Sequence, residues 1–316
     1  MNAMKKTLNL TLALGLAGTL NAGAALANDH SCKQVTLSGP GWTDIAATNG
    51  VTEVLLDTLG YDAKVETLAV PIGFEGLKSG EVDLFLGNWM PAQQKFIDKY
   101  GDSLDIVGTN LTGAKFTLAV PQYVHDAGIT DFADLQTQAD KFRNRIYGIE
   151  AGAPANQLLQ KMIDSGDFNL SDWQLVESGE QGVMSQVRRA IRRDQFIVFL
   201  GWEPHPMNST MEIAYLTGGD DYFGPDFGGA TVRTLTRKGY SEACPNVGQL
   251  LQNMTFTLDM ENQIMGYILD DGMKPAAAAQ RWLAANPAVL DTWLDGITTL
   301  DGKPATPVVK SALDSL

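Results

Sequence analysis

Three tryptophans in this sequence follow one local signal. The segments Val82-Asp83-Leu84-Phe85-Leu86-Gly87-Asn88-Trp89-Met90-Pro91 and Phe196-Ile197-Val198-Phe199-Leu200-Gly201-Trp202-Glu203-Pro204 are apolar runs. Each stops at a glycine, places a tryptophan just past it and closes on a proline. A third, Val35-Thr36-Leu37-Ser38-Gly39-Pro40-Gly41-Trp42-Thr43-Asp44, turns through Gly-Pro-Gly. All three read as buried strands with an indole at the carboxyl end. That end of an open α/β sheet is where ligands sit. A single tryptophan there is ordinarily a packing residue, but three of the six on the same signal point to walls of one site. Indole faces carry a negative quadrupole, so several around a cavity make a cage for a cation with no N–H to donate, such as a quaternary ammonium.

The elements that must position these rings can be read from the spacing. Thr43 is expected to cap a helix with apolar positions at Ile45, Val51, Val54, Leu55, Leu56 and Leu59 and a stop at Gly60. A strand over 63–70, a short helix around 74–78 and the Trp89 strand complete a β-α-β-α-β order, the mark of a parallel sheet. A helix over 92–100 and a polar stretch lead to a strand over 115–120. A second series follows: strand 146–150, helix 154–165, strand 173–177, helix 182–193 and the Trp202 strand. Arg188, Arg189, Arg192 and Arg193 read as a solvated face at a helix C-terminus. Past a Gly-rich stretch over 218–229, a strand at 230–236 returns the chain to the first series, and helices are expected at 247–253, 260–270 and 275–286. The fold expected is a two-lobed α/β clamshell, each lobe a mostly parallel sheet flanked by helices, with the ligand in the cleft. Residues 28–110 plus 210–316 form lobe 1 and 111–209 form lobe 2.

Composition sets the context. Lys5 and Lys6 precede a short apolar stretch and an A-x-A site at Ala25-Leu26-Ala27, the pattern of a cleaved secretory signal over 1–27, so the protein is expected in the periplasm. In that oxidising compartment the two cysteines, Cys32 and Cys244, suggest one disulfide, with two buried thiols as the alternative. Two Cys and the spaced His30, His125 and His205 give no metal cluster. The net charge of −14 argues against nucleic acid or an anionic membrane as partner.

The motif Gly201-Trp202-Glu203-Pro204-His205-Pro206-Met207-Asn208, with Gly39-Pro40-Gly41-Trp42-Thr43-Asp44 and Gly87-Asn88-Trp89-Met90-Pro91, resembles the periplasmic substrate-binding proteins of ABC importers for choline, glycine betaine and related quaternary amines. The likeness spans nearly the whole mature chain and is strongest to the choline-binding branch. It implies Trp42, Trp89 and Trp202 as cage walls and Asp44 as the carboxylate; by position alone, Asp44 is equally a first-turn acid that offsets a helix dipole. The fourth wall, a tyrosine in that branch, falls on Phe116. An asparagine that reads the ligand hydroxyl is replaced by Ala153, in Glu150-Ala151-Gly152-Ala153-Pro154-Ala155-Asn156. Pro154 suits a first helical position, where free N–H groups favour anions. The loop at Gly152 and Ala153 is therefore expected to meet the carboxylate of betaine or carnitine, or Asn156 to supply the missing amide. The resemblance further implies a monomer without cofactor that delivers its amine to an inner-membrane permease. A ligand-presenting sensor and a cleft hydrolase using Asp44 and Glu203 are the alternatives. His205 is expected to make a structural hydrogen bond, Tyr215, Tyr222 and Phe223 are candidate cleft aromatics, and Trp173, Trp282 and Trp293 are expected in the core.

Overall fold

The computed structural model describes residues 32–315; the expected signal and its cleavage site lie outside them. The described strands are β1 (Gln34–Gly39), β2 (Asp62–Thr67), β3 (Leu84–Met90), β4 (Leu104–Pro121), β5 (Arg145–Tyr147), β6 (Gln174–Val176), β7 (Val198–Glu203), β8 (Ile213–Tyr215) and β9 (Gly229–Arg237). They form one continuous sheet in the order β2-β1-β3-β9-β4-β7-β5-β6, with β8 on β4. Each end is parallel: β1 lies between β2 and β3, and β5 between β6 and β7. The two ends are joined by antiparallel β9 and β4.

β4 is longer than the sequence suggests. Residues expected as a polar connection, 104–114, pair with β9, while 115–119 pair with β7 and 119–121 with β8. Register shifts at Ile106/Gly108, Thr109/Leu111 and Leu111/Ala114 break the two-residue alternation there, and a bulged strand rich in Gly, Thr and Asn carries no clean period to read. The segment 210–228 also differs from expectation. β8 pairs with the far end of β4, and Phe223 packs on Phe116 and Phe132. This segment thus packs on the β4 half of the sheet and leads into β9.

The helix Thr43–Thr58 packs on Leu258–Leu269 and Pro275–Ala285. A side chain at Gly50 would come within 2.7 Å of the Pro275 carbonyl, so glycine sets how close these helices approach. Trp42, not Thr43, occupies the cap position, and no side chain caps that helix. The helix Pro154–Ser165 has the expected bounds, whereas Glu180–Ile191 starts two residues before the expected 182. Helices Val289–Trp293 and Ala305–Leu313 were not legible. Trp173, Trp282 and Trp293 are buried in the core, and the four arginines around 188–193 are exposed. Cys32 and Cys244 form a disulfide that ties the residues before β1 to the start of the helix Pro245–Asn253.

Candidate functional site

The carboxyl ends of β1, β3 and β7 converge on one cavity, with about 460 Å³ of empty space including its mouth. Trp42, Asp44, Trp89, Phe116 and Trp202 line it, together with Ala92, Gln93, Ile149, Pro154, Ala155 and Leu200. Trp42 stands at the turn from β1 into the helix Thr43–Thr58. Trp89 and Trp202 stand at the ends of β3 and β7, each one residue before a cis peptide, Met90–Pro91 and Glu203–Pro204. Glycine precedes both for lack of room. A Cβ at Gly87 would press on Phe85 and Ile45 at 2.8–2.9 Å, and one at Gly201 on the Tyr215 ring at 2.9 Å.

Phe116 reaches the cavity because β4 pairs it directly with Trp202. Its ring meets Trp89 edge to face, centroids 6.1 Å apart at 90°. The indole N–H groups are turned onto carboxylates: Trp89 donates to Asp44 Oδ2 at 3.0 Å and Trp42 to Glu150 Oε1 at 2.8 Å. These bonds fix the ring planes and leave the π faces to the cavity. Asp44 is 1% exposed and its Oδ1 has no hydrogen-bond partner. Burial, reinforced by the charge of Glu180, pushes its carboxyl up to about 7, against the opposing bonds from the Ile45 amide and Trp89.

The expected anion-meeting loop is built otherwise. Asn156 is 1% exposed, and its amide is committed within the loop: Oδ1 accepts from the Ile149 amide, and Nδ2 donates to the Ile149 and Glu150 carbonyls and to Glu177 Oε1. It shapes the loop and does not line the cavity. Gly152, at φ +83°, makes the turn, and Ala153 is the buried cap residue of the helix Pro154–Ser165; neither lines the cavity, which is walled here by Ile149, Pro154 and Ala155. Glu203 is paired with Lys115 at 2.9 Å and lies outside the lining. Tyr215 donates to Asn208, Tyr222 to Asp167, and Phe223 is buried behind Phe116, so none of these three is a wall.

Two groups that the sequence reading passed over matter most. Glu180, buried, accepts from the Thr43 amide at 2.8 Å and the Thr43 hydroxyl at 2.7 Å. His205, also buried, accepts from the Met207 amide at Nδ1, which places its proton on Nε2, 3.1 Å from Glu180 Oε1. The ring thus makes the structural bond expected of it and lies 4.8 Å from the Trp202 ring, centroid to centroid. Glu180 was missed because the helix was expected to begin at 182. The second group, Gln93, sits four residues past Trp89: it donates to the Gly87 carbonyl and accepts from Asn88, bracing the Trp89 turn.

Residues 33–285 match the family model described as the substrate-binding domain of ABC-type glycine betaine transport systems. This chain belongs to that family. It is a family of transport substrate-binding proteins, periplasmic or extracellular. The OpuAC-type assignment agrees with solved structures. An ABC-transporter choline-binding protein in complex with choline superposes with TM-score 0.88 and 48% identity, covering 90% of this chain and 99% of that one. Lactococcal OpuAC, closed on glycine betaine, gives TM-score 0.75 and 29% identity over 83% of this chain and 99% of its own. The glycine betaine/carnitine transport binding protein GbuC of Listeria monocytogenes is 31% identical over 159 residues, half of this chain and 51% of its own length. The fold expectation, a two-lobed periplasmic-binding-protein architecture, is met.

Proposed function

We propose that this protein captures a quaternary ammonium compound between Trp42, Trp89, Trp202 and Phe116, with Asp44 as counter-charge, and presents it to a membrane permease. The observation that carries this reading is the convergence of four aromatic rings and one buried carboxylate, with one oxygen free of hydrogen bonds, on a single cavity. A desolvated cation–π contact contributes up to about 2 kcal/mol. Four of them reach the roughly 8 kcal/mol of a micromolar complex before the cost of association is set against them.

The lining favours a net cation over a zwitterion. It contains no lysine or arginine, its carboxamide Gln93 is committed to the backbone and Asn88, and two of its three indole N–H groups, those of Trp42 and Trp89, are turned onto carboxylates. A ligand carboxylate would meet Asp44 and the nearby Glu150 with only the N-terminus of the helix Pro154–Ser165 to offset them. Choline therefore fits better than glycine betaine or carnitine. Its hydroxyl finds the apolar side chains of Ile149, Pro154 and Ala155. We assign the β2-β1-β3 and β7-β5-β6 ends of the sheet, with their helices, to two lobes that close on the ligand, β4 and β9 being the connections. Calorimetric titration with choline, glycine betaine and carnitine tests this. Tightest binding is expected for choline; a tighter complex with either zwitterion would overturn the ligand choice, and no binding of any of the three would overturn the function.

A further inference from the structure

The bonds that cross between the two ends of the sheet all run to carboxylates beside the cavity. Glu150, in the loop after β5, holds the Trp42 indole, and Glu180, at the start of its helix, holds the Thr43 amide and hydroxyl. Both grip the one turn that carries Trp42 and Asp44. This clasp gathers negative charge. Asp44 follows Thr43 in the chain, and the charge of Glu180 acts on it. Glu261, 2% exposed on the helix Leu258–Leu269, has its carboxyl raised well above the usual range by burial and by Asp44. Glu150 is raised too, by burial first and then by Glu180 and Glu177, against its bond from Trp42. Among the described residues, no lysine or arginine is a cause of the shifts at Asp44, Glu150 or Glu261. His205, the basic side chain in contact with Glu180, uses Nδ1 as an acceptor and is therefore neutral.

We propose that Glu180 is a positioning residue that makes closure depend on ligand charge: it clasps the Thr43 turn across the cleft, and by adding its charge to that of Asp44 it leaves the closed, empty site short of one positive charge. Glu180 lies outside the cavity lining. Without a cation, closing brings Glu180 and Glu150 toward Asp44 in a dry interior, where like charges repel strongly. A quaternary ammonium inside the cage offsets that repulsion without donating a hydrogen bond. The ligand then shifts the open–closed equilibrium by its differential affinity for the closed state. A neutral molecule of the same shape would fill the cage and leave the charge unbalanced. The inference rests on the cage reading above.

The test compares choline with its neutral isostere 3,3-dimethylbutan-1-ol, in which carbon replaces the ammonium nitrogen, on the whole protein. Glu180→Gln keeps an acceptor for Thr43 and removes the charge. It should narrow the choline-to-isostere affinity ratio by about fivefold or more, and small-angle scattering should find the empty variant more closed than the wild type. Thr43→Val removes one clasp bond and keeps every charge, so it should weaken both ligands equally. An unchanged ratio in Glu180→Gln, in a wild type that binds choline, would overturn the proposal and leave the cage standing. A ratio altered as much by Thr43→Val would show Glu180 acting through packing alone and would also overturn it. A wild type that binds none of the quaternary amines would instead remove the function on which the proposal rests.

Discussion

At the scale of the residue, Asp44 is the side chain whose state matters most. Its carboxyl is held up to about 7 by burial and by Glu180, above its ordinary value near 4. An acid raised on folding has its charged form disfavoured in the native state. Its contribution is therefore neutral below about pH 4 and turns increasingly destabilising as pH climbs toward about 7. A bound cation favours the charged form and reverses that sense. Choline affinity should accordingly fall as pH drops below about 7, by at most tenfold per unit, because a proton then competes for the same carboxylate. Titrations at pH 5.5, 6.5 and 7.5 check this; an affinity that stays level or rises toward acid would contradict it. Of the site, Trp42, Trp89, Trp202, Phe116 and Asp44 could be picked from the sequence, the tryptophans from a repeated strand signal and the other two through family likeness. Glu150, Glu180 and Glu261 could not, since a glutamate in a loop, at a helix start or on a helix face is ordinarily solvated, and only the tertiary fold covers these, Glu180 and Glu261 fully and Glu150 in part.

At the scale of the element, the turns decide what the rings can do. The loop 149–156 illustrates how a correct boundary can carry a wrong role. Pro154 opens its helix where the sequence puts it, yet Asn156 faces back into the loop, because a buried amide with four partners close at hand uses them. Asn156→Ala would leave the Ile149 amide and the Ile149 and Glu150 carbonyls without these bonds. The two carbonyls keep the Ser178 and Ala153 amides as donors, so we expect a loss of about 1–3 kcal/mol of stability, the cost of the one amide left unsatisfied, seen as a lower Tm by calorimetry. Choline binding should weaken as well, through displacement of Ile149, Pro154 and Glu150. An unchanged Tm would show that the amide bonds are not stabilising. Strands with clean apolar runs, such as β3 and β7, were legible for the same reason that β4 was not: one buries both faces without interruption, while the other is bulged and changes partners along its length.

At the scale of the whole molecule, the sheet joins the two ends through β4 and β9, so the cleft sits where two strands change company. The alternating order of strands and helices revealed an α/β architecture with two parallel series. Sequence periodicity did not reveal that β8 and the segment to 228 pack on the β4 half of the sheet, because that association is made by a long-range pairing and by Phe223 packing. The disulfide acts at this scale too. Cys32 and Cys244 are 212 residues apart in sequence, and a cross-link closing so long a loop stabilises the fold by roughly 5 kcal/mol in the chain-entropy account. It lies away from the cavity lining. Reduction should therefore lower the unfolding midpoint in denaturant substantially while leaving choline affinity of the folded protein within about twofold. A large loss of affinity with little loss of stability would reverse that assignment.

The most direct test of the central claim is a crystal structure of the protein grown with choline. The account predicts the ammonium nitrogen inside the cavity, within about 6 Å of the ring centroids of Trp42, Trp89, Trp202 and Phe116, with Asp44 as the neighbouring charge. Choline bound elsewhere, or a nitrogen facing Ile149, Pro154 and Ala155 while the rings enclose its hydroxyl arm, would contradict it.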